Sequence, residues 1–514
     1  MRIRRLFRTR SLCIKYICGC LLLSKVYHFM IGFILGAVIT QLFVGKVNDD
    51  FRWTTAREVN EEVTCDMQMN MSVRLDQMVT RLLPRLLNDD NARFMGDTSE
   101  VTSPFTTRLT LFQNAEKQAT VKQGDFVHVV IETFDSNGRR RQSGGDFFFA
   151  VMSNSLMWKS TTGRVVDYHN GTYSVYFFAG WQGNAYVYVT LVHPAQAIRW
   201  IEHVYRPRGH SVNWVGIFHN HVGRETSMCY VTRGTQDNMC EYRNFNALGD
   251  TGPSKDATMT DSRATFILNN LPTCGPDIPM QLSDGWWESD STWTSLVCKT
   301  KRWTIEQMQK CLTGKTVYIL GDSTVRIWHE TLTWLIGLKS AGDQIRRFWT
   351  STEYNITLIF EFNAVITGTI PISFWNQKFE ADMIDKIKHC NAIVVLSLTY
   401  HYASWTGRSY IERLLHVRDA VIRLVERCPD SMVVIKSSHP RDHPNSQSYI
   451  HSSDWTLFDM NRISRAIFAG IGVRFVDVWD MSLAHFSTNH VHPTDNVVRQ
   501  QLDLFFSFSC PTYF

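Results

Sequence analysis

Gly321-Asp322-Ser323 closes a β-rich apolar run, Lys315–Leu320 (KTVYIL), and opens a stretch in which Val325, Trp328, Leu332 and Leu335 recur at helical spacing. A serine between a strand and a helix holds its hydroxyl beside backbone N–H groups that lack an intrahelical acceptor. Such groups can stabilise the oxyanion formed when the hydroxyl attacks an ester. The plainer role for Ser323 is to cap the helix, which serine does well. A nucleophilic serine also needs a base. Near the C-terminus, Thr488-Asn489-His490-Val491-His492-Pro493 offers two imidazoles on a loop beyond the last apolar run. His492 or His490 could take the Ser323 proton if that loop returns to the strand's exit.

The elements around these residues alternate. Ala392–Leu398 (AIVVLSL) is a continuous apolar run, as in a strand buried on both faces. Ile411–Cys428 carries Ile411, Leu414, Leu415, Val421, Leu424 and Val425 on one helical side, and Met432–Ile435 and Val473–Val478 are further core strands. Strand–helix alternation predicts parallel βαβ units and a doubly wound α/β sheet over 276–514. In such a sheet ligands bind at the carboxyl ends of the strands, where Ser323 stands.

The preceding residues follow a different period. From 104 to 207 short strands alternate with period two, as in Thr172–Phe178 and Ala185–Leu191, separated by turns such as Asp135-Ser136-Asn137-Gly138 and Asn170-Gly171. That pattern predicts an all-β immunoglobulin-like sandwich. Residues 208–275 show little periodicity and read as a cysteine-containing connector; 45–103 read as a polar stem. Residues 27–44 (YHFMIGFILGAVITQLFV) form an apolar run after a basic head, 1–26. Eighteen residues at about 1.5 Å rise span roughly 27 Å, enough for a thin bilayer. The basic head orients the remainder to the lumen, as a single-pass type II signal anchor in the endoplasmic reticulum or Golgi, facing membrane lipid through residues 27–44.

The nine cysteines beyond the anchor include no CxxC pair, so disulfides are expected and zinc is not. Nine is odd, which leaves one thiol free or bonded to another chain. Sequons at Asn70, Asn170 and Asn355 fit a glycosylated lumenal chain. A net charge of +5 sits largely in the head, so nucleic acid is not an expected partner. No P-loop, EF-hand or HExxH run is present, and neither a metal nor a bound cofactor is expected. Trp286 and Trp287 read as core or as a platform for a sugar ring. The Arg139-Arg140-Arg141 run reads as a solvated hairpin tip, with an anionic-glycan contact as the alternative.

Gly321-Asp322-Ser323 and the terminal His-Pro loop resemble the first and last blocks of SGNH hydrolases, in particular the PC-esterase branch. Residues 104–514 as a whole resemble the NXPE family, the neurexophilin and PC-esterase domain proteins. The stretches that carry this are Gly144–Phe147, Gly163–Asp167, Asn170–Tyr173, Gly285–Trp287, Cys298, Cys311, Gly321–Trp328, Val433–Lys436, Val478–Met481 and Asn489–Pro493. The resemblance implies a filamin-type sandwich followed by an SGNH-like domain. It implies an acyl-ester reaction on a glycan or glycoprotein, since related PC-esterase domains O-acetylate cell-wall polysaccharides or sialic acid. An acetyl donor such as acetyl-CoA would then be a co-substrate. Ser323 would be the nucleophile and His492 the base, with Gly321, Asp322 and His401 near the oxyanion. Two departures stand out. Asn489 occupies the usual acid position three before His492, with Asp477, Asp480 and Asp495 as other candidates to support the imidazole. Thr399-Tyr400-His401 stands where an oxyanion Gly or Asn is common. These departures motivate the alternative of an inactive ectodomain that binds glycan or protein.

Overall fold

A computed structural model of the chain describes residues 65–83, 100–111, 120–208, 214–219, 224–229, 254–262, 268–337, 341–342, 346–363, 378–443, 446–487 and 490–510. The expected anchor over residues 27–44 lies outside these; among the described residues no helix is long and apolar enough to cross a membrane. Helix α1 (Cys65–Leu82) carries Asn70, so this sequon is helical.

Period-two alternation produces the strands foreseen in the first half. They are β1 (Arg108–Leu111), β2 (Thr120–Gln123), β3 (Phe126–Glu132), β4 (Phe147–Asn154), β5 (Lys159–Asp167), β6 (Thr172–Phe178) and β7 (Gly183–His193). Val127, Val129 and Ile131 of β3 and Tyr173, Val175 and Phe177 of β6 bury into the same core as Phe148, Ala150 and Met152 of β4 and Ala185, Val187 and Val189 of β7. Strand β5 joins the two layers: residues 163–167 pair with β6 and residues 159–162 with β4. Asn170 is exposed in the β5–β6 turn, where its side-chain oxygen accepts from Thr172 N at 3.0 Å.

The following 208–275 stretch is more than a connector. It forms the hairpin β8 (Trp214–His219) and β9 (Arg224–Cys229). It also supplies β10 (Ser254–Ser262), which pairs with both β7 and β2. The sheet extends further, because β11 (Gly285–Ser289) pairs with β5 and carries β12 (Thr292–Ser295) beside it. Residues 254–295 thus complete the β-layer, and the expected boundaries at 207 and 275 do not separate folding units. Polar β10 gave no period-two apolar signal, yet it lies between β7 and β2 and pairs with both through backbone groups. Trp286 and Trp287 are fully buried in this seam, which makes them core and not a sugar platform.

The α/β half has a seven-stranded sheet among the described residues. Its strands are β13 (Thr316–Gly321), β14 (Ala341–Gly342), β15 (Arg346–Ser351), β16 (Ile356–Phe362), β17 (Ala392–Leu396), β18 (Met432–Lys436) and β19 (Arg474–Val476). They lie in the order β14-β15-β16-β13-β17-β18-β19, with β16, β13, β17, β18 and β19 mutually parallel. All five residues of β17 are buried, as its unbroken apolar run requires. The chain leaves β13 toward β16 and then returns past β13 to β17. Right-handed crossovers therefore put α3 (Ser323–Leu335), which follows α2 (Ile305–Leu312), on one face. They put α4 (Glu380–Asp385), α5 (Gly407–Arg427) and α6 (Asp454–Phe468) on the other. The reversal beside β13 opens a crevice at the strands' carboxyl ends.

Two further helices close the domain. α7 (Trp479–Ala484) meets the β-layer: Trp287 Nε1 donates to Met481 O at 2.9 Å, and the Ser160 hydroxyl donates to Ala484 O. α8 (Asp495–Ser509) packs on α3, with the rings of Phe505 and Trp328 5.6 Å apart. Disulfides join Cys274–Cys298, Cys311–Cys510 and Cys390–Cys428. The side chains of Cys65, Cys229 and Cys240 lie outside the described residues, and with them the expected odd thiol.

Candidate active site

Ser323 opens α3, but it is not the cap. Asp322 holds that place: its Oδ1 accepts from Thr324 N at 2.8 Å and from Thr324 Oγ1 at 2.7 Å. The buried carboxylate satisfies the helix start and leaves the half-buried Ser323 hydroxyl for another partner. That partner is His492, whose Nε2 lies 2.9 Å from Ser323 Oγ across 169 positions of chain. The hydroxyl donates to Nε2 when the imidazole carries its proton on Nδ1. His490, the other candidate, is exposed on the same loop.

Gly321 lets the strand turn so sharply. Its φ is +154°, and a Cβ there would lie 2.7 Å from Ser397 O at the exit of β17. The His492 loop is held from both sides. On one side α8 begins three residues later, with Thr494 as its N-cap. On the other, His439 Nε2, in the loop after β18, donates to Val491 O at 3.1 Å, and the Tyr400 hydroxyl donates to His439 O. Burial pushes the His439 pKa well below the ordinary imidazole value, so this ring acts as a neutral strut.

Electrostatics suit His492 to accept a proton. Desolvation first, and then the positive charge of Arg326, lower its pKa below 6.5, against the opposing charges of Asp322 and Glu330. It is therefore neutral at pH 7, with a lone pair free for the serine proton. Beneath the site lies fully buried Lys436, the last residue of β18, whose Nζ donates to Ser437 O at 3.2 Å. Burial lowers its pKa to about 8, with the Asp322 charge opposing that drop.

Among the described residues no carboxylate is hydrogen-bonded to His492. Asp477 accepts from Ser437 Oγ at 3.1 Å and from Trp479 N at 2.9 Å, and pairs with Arg465. Asp480 accepts from Asp284 N at 3.2 Å and faces Arg164 at 3.7 Å, so both acids serve the joint with the β-layer. Asp495 is exposed in the first turn of α8. Asn489 lies outside the described residues. His401 stands at the same sheet edge, in the loop after β17, where its ring packs edge-on against Phe362 at 5.3 Å. A separate crevice at the joint, lined by Arg164, Asp284, Trp293, Arg465, Asp477 and Met481, includes neither member of the serine–histidine pair. Among the described residues no group of three or more His, Cys, Asp or Glu is arranged to hold a metal.

Sequence reasoning missed Lys436, His439 and Arg326. A lysine ending an apolar strand (VVIK) and a histidine three residues on were visible signals. Nothing local marked Arg326.

The family models agree with this division of the chain. Residues 293–510 match the model described as NXPE family member 4-like, C-terminal domain, and residues 90–245 match Neurexophilin. The chain belongs to the NXPE family. Ser323, His492 and every strand of the α/β sheet fall within the matched NXPE C-terminal domain. The Neurexophilin match covers β1 to β9 but stops short of β10, β11 and β12. Two solved structures are similar to parts of this NXPE chain. One is an extracellular lipase from Streptomyces rimosus, at 13% identity, 37% of this chain, 98% of the lipase and a TM-score of 0.22. The other is a provisionally assigned glycoside hydrolase from Bacteroides vulgatus, at 9% identity, 70% of this chain, 55% of that one and a TM-score of 0.17. At such scores neither likeness carries an argument.

Proposed function

We propose that this chain is a lumenal, membrane-anchored O-acyltransferase or esterase that works on glycan hydroxyls through an acyl-Ser323 intermediate. The observation that carries the reading is the 2.9 Å contact between Ser323 Oγ and His492 Nε2 at a helix start. His492 accepts the serine proton as Oγ attacks the acyl carbon, then returns it to the leaving atom, the oxygen of an ester or the sulfur of a thioester donor. A sugar hydroxyl or water then resolves the acyl-serine, and an acetyl donor such as acetyl-CoA would load it. The α/β half has the flavodoxin-type strand order at whose switch point ligands bind, which supports the SGNH-like reading; the β-layer fits an immunoglobulin- or filamin-like module. The disulfides and the exposed sequons Asn170 and Asn355 favour an oxidising lumen, with residues 27–44 as the type II anchor.

The test is acetyl-ester profiling of glycans from cells with the full-length chain, with Ser323→Ala, and with neither. A wild-type-specific gain or loss of esters is expected; identical profiles for wild type and Ser323→Ala would overturn the reading. One observation favours a second reading, an inactive binding ectodomain: among the described residues no carboxylate is hydrogen-bonded to His492 to orient it and hold its protonated form. That reading predicts that a serine-reactive phosphonate leaves the intact chain unlabelled.

A further inference from the structure

The carboxyl end of β16 carries an expensive arrangement around a single residue. Asn363 follows the last registered pair of β13 and β16, Gly321 opposite Phe362, and its N–H donates to Gly321 O at 3.1 Å. Asn363 therefore lies alongside the Gly-Asp-Ser turn. Its carbonyl is gripped by the Tyr402 hydroxyl at 3.2 Å and by Arg413 Nη2 at 3.4 Å. Those two groups converge in turn on the fully buried Glu380, whose Oε1 accepts from Tyr402 and whose Oε2 pairs with Arg413. A buried ion pair is a poor source of stability, since desolvating both charges offsets much of their attraction. Here it fixes the backbone of one residue beside the nucleophile.

The side chain of that residue is left unused. Asn363 is 3% exposed, yet both its Nδ2 and its Oδ1 lack a hydrogen-bond partner. A buried unpaired amide costs stability, and one retained at a functional edge calls for a group that arrives during the reaction. Whichever way the amide is turned, it offers an unsatisfied N–H donor.

We infer that Asn363 is the side-chain oxyanion donor of this site, delivered from the strand on the far side of β13 from Thr399-Tyr400-His401. The inference rests on the acyl-serine reading above. In the step concerned, Ser323 Oγ bonds to the acyl carbon and its proton moves to His492 Nε2. The carbonyl π pair moves onto oxygen, and that oxyanion accepts from Asn363 Nδ2 and from the Ser323 N–H, which has no intrahelical acceptor. On collapse the bond from the acyl carbon to the leaving group breaks (C–O in an ester, C–S in a thioester), and the leaving oxygen or sulfur takes the proton from His492. Tyr402 and Arg413 are positioning residues, acting through the Asn363 backbone.

The experiment measures labelling of the full-length chain by an activated phosphonate, whose phosphoryl oxygen takes the oxyanion's place, together with the melting temperature. Asn363→Ala should slow labelling by about 10²–10³-fold, the usual loss for one oxyanion donor. Its melting temperature should be unchanged or higher, because an unpaired buried amide is removed. Ser323→Ala should abolish labelling. Wild-type labelling speed in a folded Asn363→Ala would overturn the inference and leave the acyl-serine reading standing. Labelling that survives Ser323→Ala would remove the reading itself. If Asn363→Ala melts earlier and labels slowly only in proportion to its unfolded fraction, the residue is structural and the inference falls.

Discussion

At the scale of single residues, the site works by dividing roles between neighbours of opposite character. Asp322 caps α3, so Ser323 is spared that duty and faces His492. His492 stands at the surface with a pKa below the ordinary 6.5, set by desolvation and then by Arg326. Phosphonate labelling should therefore rise with pH through a midpoint below 6.5 and stay flat above it. Arg326→Ala removes a positive charge and frees Glu330 from its contact with Arg326, so the midpoint should move upward. A midpoint at or above 6.5, or an unmoved midpoint in the variant, would count against His492 as base. Lys436 makes a separate prediction about stability. Its ammonium titrates near pH 8 when folded and near 10.5 when unfolded. Between those values the unfolded chain holds the extra proton, so stability rises with pH, by about 3 kcal/mol over the whole window. Below pH 8 both states are protonated and the term is constant. Denaturant titrations from pH 7 to 10 should show this slope in the wild type and its loss in Lys436→Met; equal slopes would exclude it.

At the scale of elements, the strand-to-helix junction after β13 sets the geometry. Gly321 has no room for a side chain, because a Cβ would press on Ser397 O at 2.7 Å. Gly321→Ala should cost about 1–3 kcal/mol, the usual penalty for overpacking, and should slow labelling in the fraction that stays folded. Full labelling with unchanged melting would mean that the β13–β17 approach is looser than described. The strands of this sheet were legible because burial on both faces leaves continuous apolar runs, as in Ala392–Leu396. From type and order alone a serine after the first strand and His490 or His492 after the last were legible; the family resemblance pointed to His492, and the structure pairs it with Ser323. Asn363 was not legible in that way. Its meaning depends on β16 lying beside β13, and an asparagine at the end of a strand looks the same whether paired or orphaned.

At the scale of the whole molecule, the β-layer and the α/β half share elements, so they should not fold apart. β11 and β12, near the edge of the α/β segment, complete the β-layer through β5, and Trp287 is buried between β11 and α7. Arg164 of β5 bonds Asp284 at 3.0 Å and faces Asp480 at 3.7 Å across the same joint. Residues 268–510 expressed alone should expose this seam and aggregate or remain unfolded, whereas residues 100–510 should unfold in one transition. A soluble, cooperatively folded 268–510 fragment, seen by near-ultraviolet circular dichroism and calorimetry, would contradict this.

The amino-acid order alone determined the two periodicities, the reversal from period two to alternating strand and helix, and the candidate residues Gly321–Ser323 with His490 or His492. Each is written in neighbouring residues or in residue type. Only the tertiary structure decided that Asp322 is the cap, that Asp477 and Asp480 are spent at the joint, that residues 254–295 finish the β-layer, and that Asn363 stands unpaired. Those outcomes depend on which distant groups meet, and pairing through backbone atoms or competition for one hydrogen bond leaves no mark on the local pattern.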